Sequence, residues 1–221
     1  MTTPERFVAD LAVHRTCAIV RATAREVAAQ AMQAAIDGGV RICEFTLSTP
    51  GALELIAAFG DRTTPAGESV IVGAGTVLTR AQLDDAVAAG ARFVVSPVFD
   101  PDVIAAARDA GVAVIPGVHT PTEMLAAYRA GATALKLFPS PAGGPAWLRA
   151  VLAPLPFLPV VPTHGVTLDN VAEWLDAGAL AVGLVGDVFR PDWLATGDFA
   201  AVHDRVAAIR DVVRLRGPAS R

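Results

Sequence analysis

Apolar and polar positions along the chain repeat a single unit. A short β-branched run gives way to an Ala-rich amphipathic stretch, which ends at Ala-Gly or Gly-Gly before the next run begins. The runs predict strands at Cys17–Arg21, Val40–Thr46, Val70–Gly73, Phe93–Ser96, Val112–Pro116, Ala134–Phe138, Val160–Thr163 and Ala181–Leu184. Helices fill the gaps, with Thr23, Thr79, Asp100, Thr120 and Thr167 as candidate N-caps. Asp37-Gly38-Gly39, Ala89-Gly90, Ala110-Gly111, Ala130-Gly131 and Ala177-Gly178 mark helix ends, where glycine suits the left-handed turn back into a sheet. Thr3 to Leu11 reads as a short preceding helix, and Ala200 to Leu215 as the last helix of the series.

Eight strands alternating with helices in 221 residues predict an α/β (β/α)8 barrel, one domain over 1–221. An open doubly wound sheet would want a glycine-rich phosphate loop after its first strand, and Arg21-Ala22-Thr23-Ala24 is not one. No linker, low-complexity stretch or charge block divides the chain.

Composition narrows the function classes. Hydrophobic residues make up 53% and charged residues 18%, which suits a large core. A net charge of -4 leaves no basic surplus for nucleic acid and no polybasic segment for an anionic membrane. The first residues lack an uninterrupted apolar stretch, so no signal peptide is expected. The most apolar region, residues 151–161, is broken by three prolines and too short to span a bilayer. Cys17 and Cys43 form no spaced pattern, and a cytoplasmic location is expected.

The 18 basic residues comprise 17 arginines and one lysine. That lysine, Lys136, lies inside Ala134-Leu135-Lys136-Leu137-Phe138, the most strand-like place a cation could occupy. Guanidinium stays protonated, whereas a desolvated ammonium can lose its proton and attack a carbonyl. Alternation puts Ala134, Lys136 and Phe138 inside the barrel and turns Leu135 and Leu137 toward the helices. The competing reading is a strand-end lysine that snorkels to solvent or pairs with a carboxylate. Glu44 is the second anomaly: Ile42, Glu44 and Thr46 share one face, which points the carboxylate toward the barrel mouth, where active sites of this fold sit. An inward Glu-Lys pair fits proton transfer around a Schiff base, and fits equally a buried salt bridge.

Five segments occur in an order that resembles the 2-keto-3-deoxy-6-phosphogluconate aldolase family, which includes 2-keto-3-deoxy-6-phosphogalactonate and 4-hydroxy-2-oxoglutarate aldolases. They are Glu44-Phe45-Thr46-Leu47-Ser48-Thr49-Pro50, Gly73-Ala74-Gly75-Thr76-Val77-Leu78, Ser96-Pro97, Ile115-Pro116-Gly117 and Leu135-Lys136-Leu137-Phe138-Pro139. The segment from Lys136 to Ser140, with Gly144-Pro145 after it, looks closest to the galactonate branch. The resemblance implies a class I lyase that cleaves a 2-keto-3-deoxy sugar acid to pyruvate and an aldehyde, with Lys136 forming the imine and Glu44 as acid/base. It implies Thr76, Pro97 and Phe138 around pyruvate, Thr163 facing the substrate, no metal or other cofactor, and a homotrimer. A 2-oxo acid is then the small-molecule partner.

Three departures bear on the substrate. Ser48 stands where the gluconate branch has an arginine for the substrate carboxylate, beside Thr49; Arg21, which matches a galactonate-branch arginine, is the candidate to supply that charge. His164-Gly165 and Val185-Gly186 replace the Gly-Gly and Gly-Ser expected at a phosphate, so His164, Gly165 and Gly186 are candidates for the far end of the substrate, phosphorylated or not. His119 and His164, with Glu44, could approach a metal at the mouth, but no ligand spacing supports this. His14 and His203 fall in helical stretches and are expected at the surface.

Overall fold

Alternation along each β-branched run decides which of two walls a side chain joins. In the computed structural model, which describes residues 3–219, the strands are β1 (Thr16–Val20), β2 (Ile42–Thr46), β3 (Ile71–Gly75), β4 (Phe93–Val95), β5 (Ala113–Ile115), β6 (Gly117–Val118), β7 (Leu135–Leu137), β8 (Val160–Pro162) and β9 (Val182–Leu184). Every pairing is parallel. One sheet runs β5-β4-β3-β2-β1-β9 and the other β6-β7-β8.

Two joints close these sheets into the predicted (β/α)8 barrel. Pro116 separates β5 from β6: it has no N–H to continue the ladder, but its carbonyl still accepts the Lys136 N–H at 2.9 Å. The strand expected over Val112–Pro116 is β5, and a second short segment, β6, continues past Pro116 at the same barrel position. On the other side, a parallel bridge between Thr163 and Gly183 links β8 to β9. Gly183 has no substitute here, since a Cβ would lie 2.6 Å from Thr163 Oγ1.

The core has two layers. Inward residues Cys17, Ile19, Ile42, Ile71, Phe93 and Val161 fill the barrel, and outward residues pack against the surrounding helices. Leu135 and Leu137 are fully buried in the outer layer, each contributing about 2 kcal/mol of apolar burial, so β7 is pinned with Lys136 on the other face. The helix α1 (Pro4–His14) plugs the N-terminal end of the barrel: Phe7 stacks on Phe93 with ring centroids 4.6 Å apart. The N-terminal helix is thus as expected, three residues longer at its C-terminal end, with Thr3 as its cap.

The remaining helices are α2 (Arg25–Asp37), α3 (Ala52–Phe59), α4 (Arg80–Ala88), α5 (Pro101–Asp109), α6 (Pro121–Arg129), α7 (Gly144–Leu152), α8 (Val171–Asp176), α9 (Pro191–Thr196) and α10 (Phe199–Arg214). Thr79, Asp100 and Thr120 cap α4, α5 and α6 with their side chains, as read from the sequence. Two caps are corrected. Ala24, without a side-chain bond, precedes α2 in place of Thr23, and Asn170 precedes α8 in place of Thr167. Threonine in a tight loop before a helix looks like a cap whether or not the helix starts there.

His14 is also corrected. It is buried, and its Nε2 lies 2.6 Å from the Arg41 guanidinium. Helical periodicity alone does not reveal that the last turn of α1 sits beneath the barrel. His203 pairs on the exterior with Asp204 at 2.9 Å.

Candidate active site

The C-terminal ends of the strands bring the chemistry-bearing residues together. Glu44, on β2, is 1% exposed, and its Oε1 has no hydrogen-bond partner among the described residues. Burial pushes its carboxyl above the usual carboxylate range, and the positive charges of Lys136 and Arg21 offset part of that shift. Lys136, on β7, is half-buried and faces the same space, its Nζ 5.3 Å from the centroid of the Phe138 ring. A carboxylate that burial has made more basic, beside the chain's one lysine, is an arrangement for moving protons around a carbonyl adduct.

Arg21 follows β1 and reaches the mouth, donating from Nη2 to Thr76 Oγ1 at 3.4 Å. Thr76 holds a left-handed backbone, φ 62°, uncommon for a β-branched residue. Strain of this kind costs of order 1–3 kcal/mol and gathers at functional sites. Pro97 lies half-buried on the next loop. Phe138 is 37% exposed at the rim, edge-on to the His164 ring at 6.2 Å between centroids. Thr163 is buried; its hydroxyl donates to Val161 O at 3.3 Å.

Ser48 and Thr49 divide. Thr49 is 2% exposed, and its hydroxyl already accepts the Ala22 N–H at 3.3 Å and contacts Thr46 Oγ1 at 3.2 Å. It fixes the loop after β2 to the loop after β1. Ser48 is exposed, 3.1 Å from the same Thr46 hydroxyl, and lines a cavity of about 450 Å³ shared with Glu54, Gln82 and Asp85. That cavity is bordered by α3 and lacks Lys136.

The far-end candidates do come together. His164, Gly165 and Gly186 line one cavity of about 270 Å³ formed by residues 164–167 and 185–187. His164 has φ 80° and Gly165 φ 77°, so a histidine occupies a turn suited to glycine. His119 is turned elsewhere. Its Nδ1 lies 2.9 Å from Pro139 O and its ring stacks on Trp147. Among the described residues no group of three His, Cys, Asp or Glu side chains is placed to hold a metal.

Three features escape a reading of the sequence. Gly75 lies beside Glu44 on β3, and a Cβ there would overlap Glu44 Oε1. Ser140 Oγ is buried without a partner among the described residues, close behind Gly165. Asp187 enters the wall of the distal cavity. Its position directly after Val185-Gly186 at a strand end was the available signal.

Comparison with known proteins agrees with this geometry. The family model described as KDPG and KHG aldolase matches residues 9–205. The 2-dehydro-3-deoxy-6-phosphogalactonate aldolase of Escherichia coli (strain K12) is 38% identical over 174 residues, covering 78% of this chain and 83% of that protein. A solved structure described as native KDPGal superposes with a TM-score of 0.79 at 35% identity, covering 90% of this chain and 94% of the other. KDPG aldolase from Legionella pneumophila, solved with pyruvate captured as a covalent carbinolamine intermediate, gives a TM-score of 0.79 at 26% identity over 94% and 98% of the two chains. With the family model spanning most of its length, the chain belongs to the KDPG and KHG aldolase family.

Proposed function

We propose that the chain is a class I aldolase that reversibly cleaves a 2-keto-3-deoxy sugar acid, of the 6-phosphorylated gluconate or galactonate series, to pyruvate and an aldehyde. The observation that carries this reading is the chain's single lysine on the inner face of β7, sharing the barrel mouth with the buried Glu44 carboxyl.

The Lys136 amine adds to the C2 carbonyl and the carbinolamine loses water to give a protonated imine. Glu44, through a water, takes the proton from the C4 hydroxyl. The C3–C4 bond breaks, its electron pair moves onto the imine nitrogen as an enamine, and the aldehyde departs. Protonation at C3 and hydrolysis release pyruvate and free Lys136. Arg21 is suited to the substrate carboxylate, with Thr76, Pro97 and Phe138 around the three-carbon end and Thr163 facing the substrate. His164, Gly165 and Gly186 receive the far end. Ser48 stands at the edge of this set, and Thr49 supports it from behind.

A second reading, an unphosphorylated 2-keto-3-deoxy acid or 4-hydroxy-2-oxoglutarate as substrate, is favoured by the His164 side chain standing in the cavity expected to take a phosphate. A homotrimer suits the apolar side chains of Leu78, 45% exposed, and Val98, 51% exposed, on loops following neighbouring strands. A cytoplasmic location suits the two free, buried cysteines. Among the described residues no helix is long and apolar enough to cross a membrane.

Pyruvate with borohydride tests the proposal. A reduced adduct is expected on Lys136, with pyruvate release from at least one of the 6-phosphorylated substrates. Lys136→Arg, folded but without adduct or turnover, completes the test, and wild type without an adduct refutes the imine.

A further inference from the structure

Two loops form the distal cavity, residues 164–167 after β8 and 185–187 after β9. One side chain ties them. Asp187, on the second loop, accepts the Leu168 N–H with Oδ2 at 2.9 Å. Its Oδ1 accepts from Arg205 Nη1 of α10 at 2.6 Å. The carboxylate is 14% exposed and the guanidinium 28%.

Both partners are themselves held. The Arg205 guanidinium lies 5.5 Å from the Trp193 ring centroid, and Arg190 lies 5.3 Å from the same ring. The first loop is closed internally as well: the Thr167 N–H donates to Asn170 Oδ1 at 2.8 Å and Asn170 Nδ2 donates to Gly165 O at 2.8 Å. Gly165 and the start of α8 therefore move as one piece, and Asp187 fastens that piece to the loop carrying Gly186. An exposed ion pair would do little. This one is partly buried, short and charge-assisted at one oxygen, with a backbone donor on the other. Because Asp187 and Arg205 neutralise each other, the pair sets the width of the cavity without adding net charge to it.

We propose that Asp187, held by Arg205, is a positioning residue for the part of the substrate beyond C4, fixing Gly165 and His164 against Gly186. This rests on the aldolase reading above. Misplacement of groups by about 1 Å is enough to cost large factors in efficiency.

The test compares steady-state cleavage of 2-keto-3-deoxy-6-phosphogluconate or its galactonate epimer, whichever wild type cleaves, with borohydride trapping of pyruvate. Asp187→Ala/Arg205→Ala removes the tie at constant net charge. It is expected to raise KM about tenfold, leave kcat within about twofold, and leave the pyruvate dependence of trapping unchanged. Asp187→Asn/Arg205→Gln keeps an acceptor on the Leu168 N–H and is expected to stay within about threefold of wild-type KM. Leu168→Pro removes that N–H while sparing the ion pair, so it reports even if the alanine pair does not fold, and it must raise KM by a similar factor. Unchanged KM in the alanine pair or in Leu168→Pro overturns the proposal. So does parallel weakening of pyruvate trapping, or an Asn/Gln pair as impaired as the alanine pair. Wild type that fails to trap pyruvate refutes the aldolase reading instead, so the two failures are separable.

Discussion

Gly75 leaves open the volume that the Glu44 carboxyl fills: a Cβ on Gly75 would overlap Oε1 and come within 2.6 Å of Cδ. The two residues are on paired strands, β2 and β3, with Thr46 opposite Gly75 in register. The barrel interior has no slack on that side, because Gly73 is filled by the Phe93 ring, 2.6 Å from where its Cβ would be. Glu44 is thus placed by a missing methyl group.

Gly75→Ala must therefore push the carboxyl aside, while the backbone itself accepts alanine. The expected result is a folded protein whose kcat falls about 100-fold, with pyruvate trapping on Lys136 retained. Steady-state kinetics beside borohydride trapping checks this. Undiminished kcat would mean that the position of Glu44 is not critical.

Glu44 also gives a pH signature. Its carboxyl titrates higher in the folded chain than in the unfolded one, chiefly because it is buried. Between those two values the folded state binds more protons, so its stability contribution is full below the unfolded value and is lost as pH rises through the folded one. Glu44→Gln is expected to melt higher than wild type at neutral pH, with the gap closing as pH falls through the raised folded value toward the ordinary carboxylate range. In a chain of this size each kcal/mol corresponds to ~2–4 °C. For activity the sign reverses: the base must be ionised, so the acid limb of kcat should lie above the pH of an ordinary glutamate.

The barrel and its central pair were legible because both rest on period and count. Strand alternation assigns Lys136 and Glu44 to the inner face, and Leu135 and Leu137, fully buried outside, hold that assignment. Nothing local encodes the break at Pro116, since proline also ends ordinary strands. The role of Gly75 was hidden because it depends on a side chain 31 positions away in sequence. Asp187 was hidden for a similar reason: Leu168 and Arg205, its two partners, lie 19 and 18 residues off on either side.

His14, buried beneath the barrel, responds to pH in the opposite sense from Glu44. Desolvation first, then the charge of Arg41, hold its imidazole below the ordinary histidine range; Glu68 opposes them, with smaller effects from Arg210, which lowers, and Asp10, which raises. The unfolded chain therefore binds the extra proton first, and the stability that neutral His14 contributes is lost as pH falls below about 6.5. His14→Asn is expected to flatten the acid side of a melting-temperature profile below about pH 6.5. Its activity with saturating substrate at neutral pH should stay near wild type, because His14 lies at the far end of the barrel from Lys136.

His164 sets a different conflict, between backbone and selectivity. A non-glycine residue at φ 80° costs of order 1–3 kcal/mol, of which glycine's greater freedom in the unfolded chain would cancel about 0.5–1. His164→Gly is therefore expected to lie between neutral and stabilising by about 2.5 kcal/mol in thermal or denaturant unfolding. The imidazole packs edge-on against Phe138 while His164 lines the distal cavity, so its loss takes bulk out of that cavity. Glycine would let a terminal phosphate approach the backbone N–H groups at 164 and 165, and one added charge-assisted hydrogen bond is worth about tenfold. The ratio of kcat/KM for a 6-phosphorylated substrate over its unphosphorylated form should then rise by roughly that factor. A fall in the ratio would instead make the His164 ring itself the anion ligand, with a side chain doing the work that backbone N–H groups would do in a glycine turn.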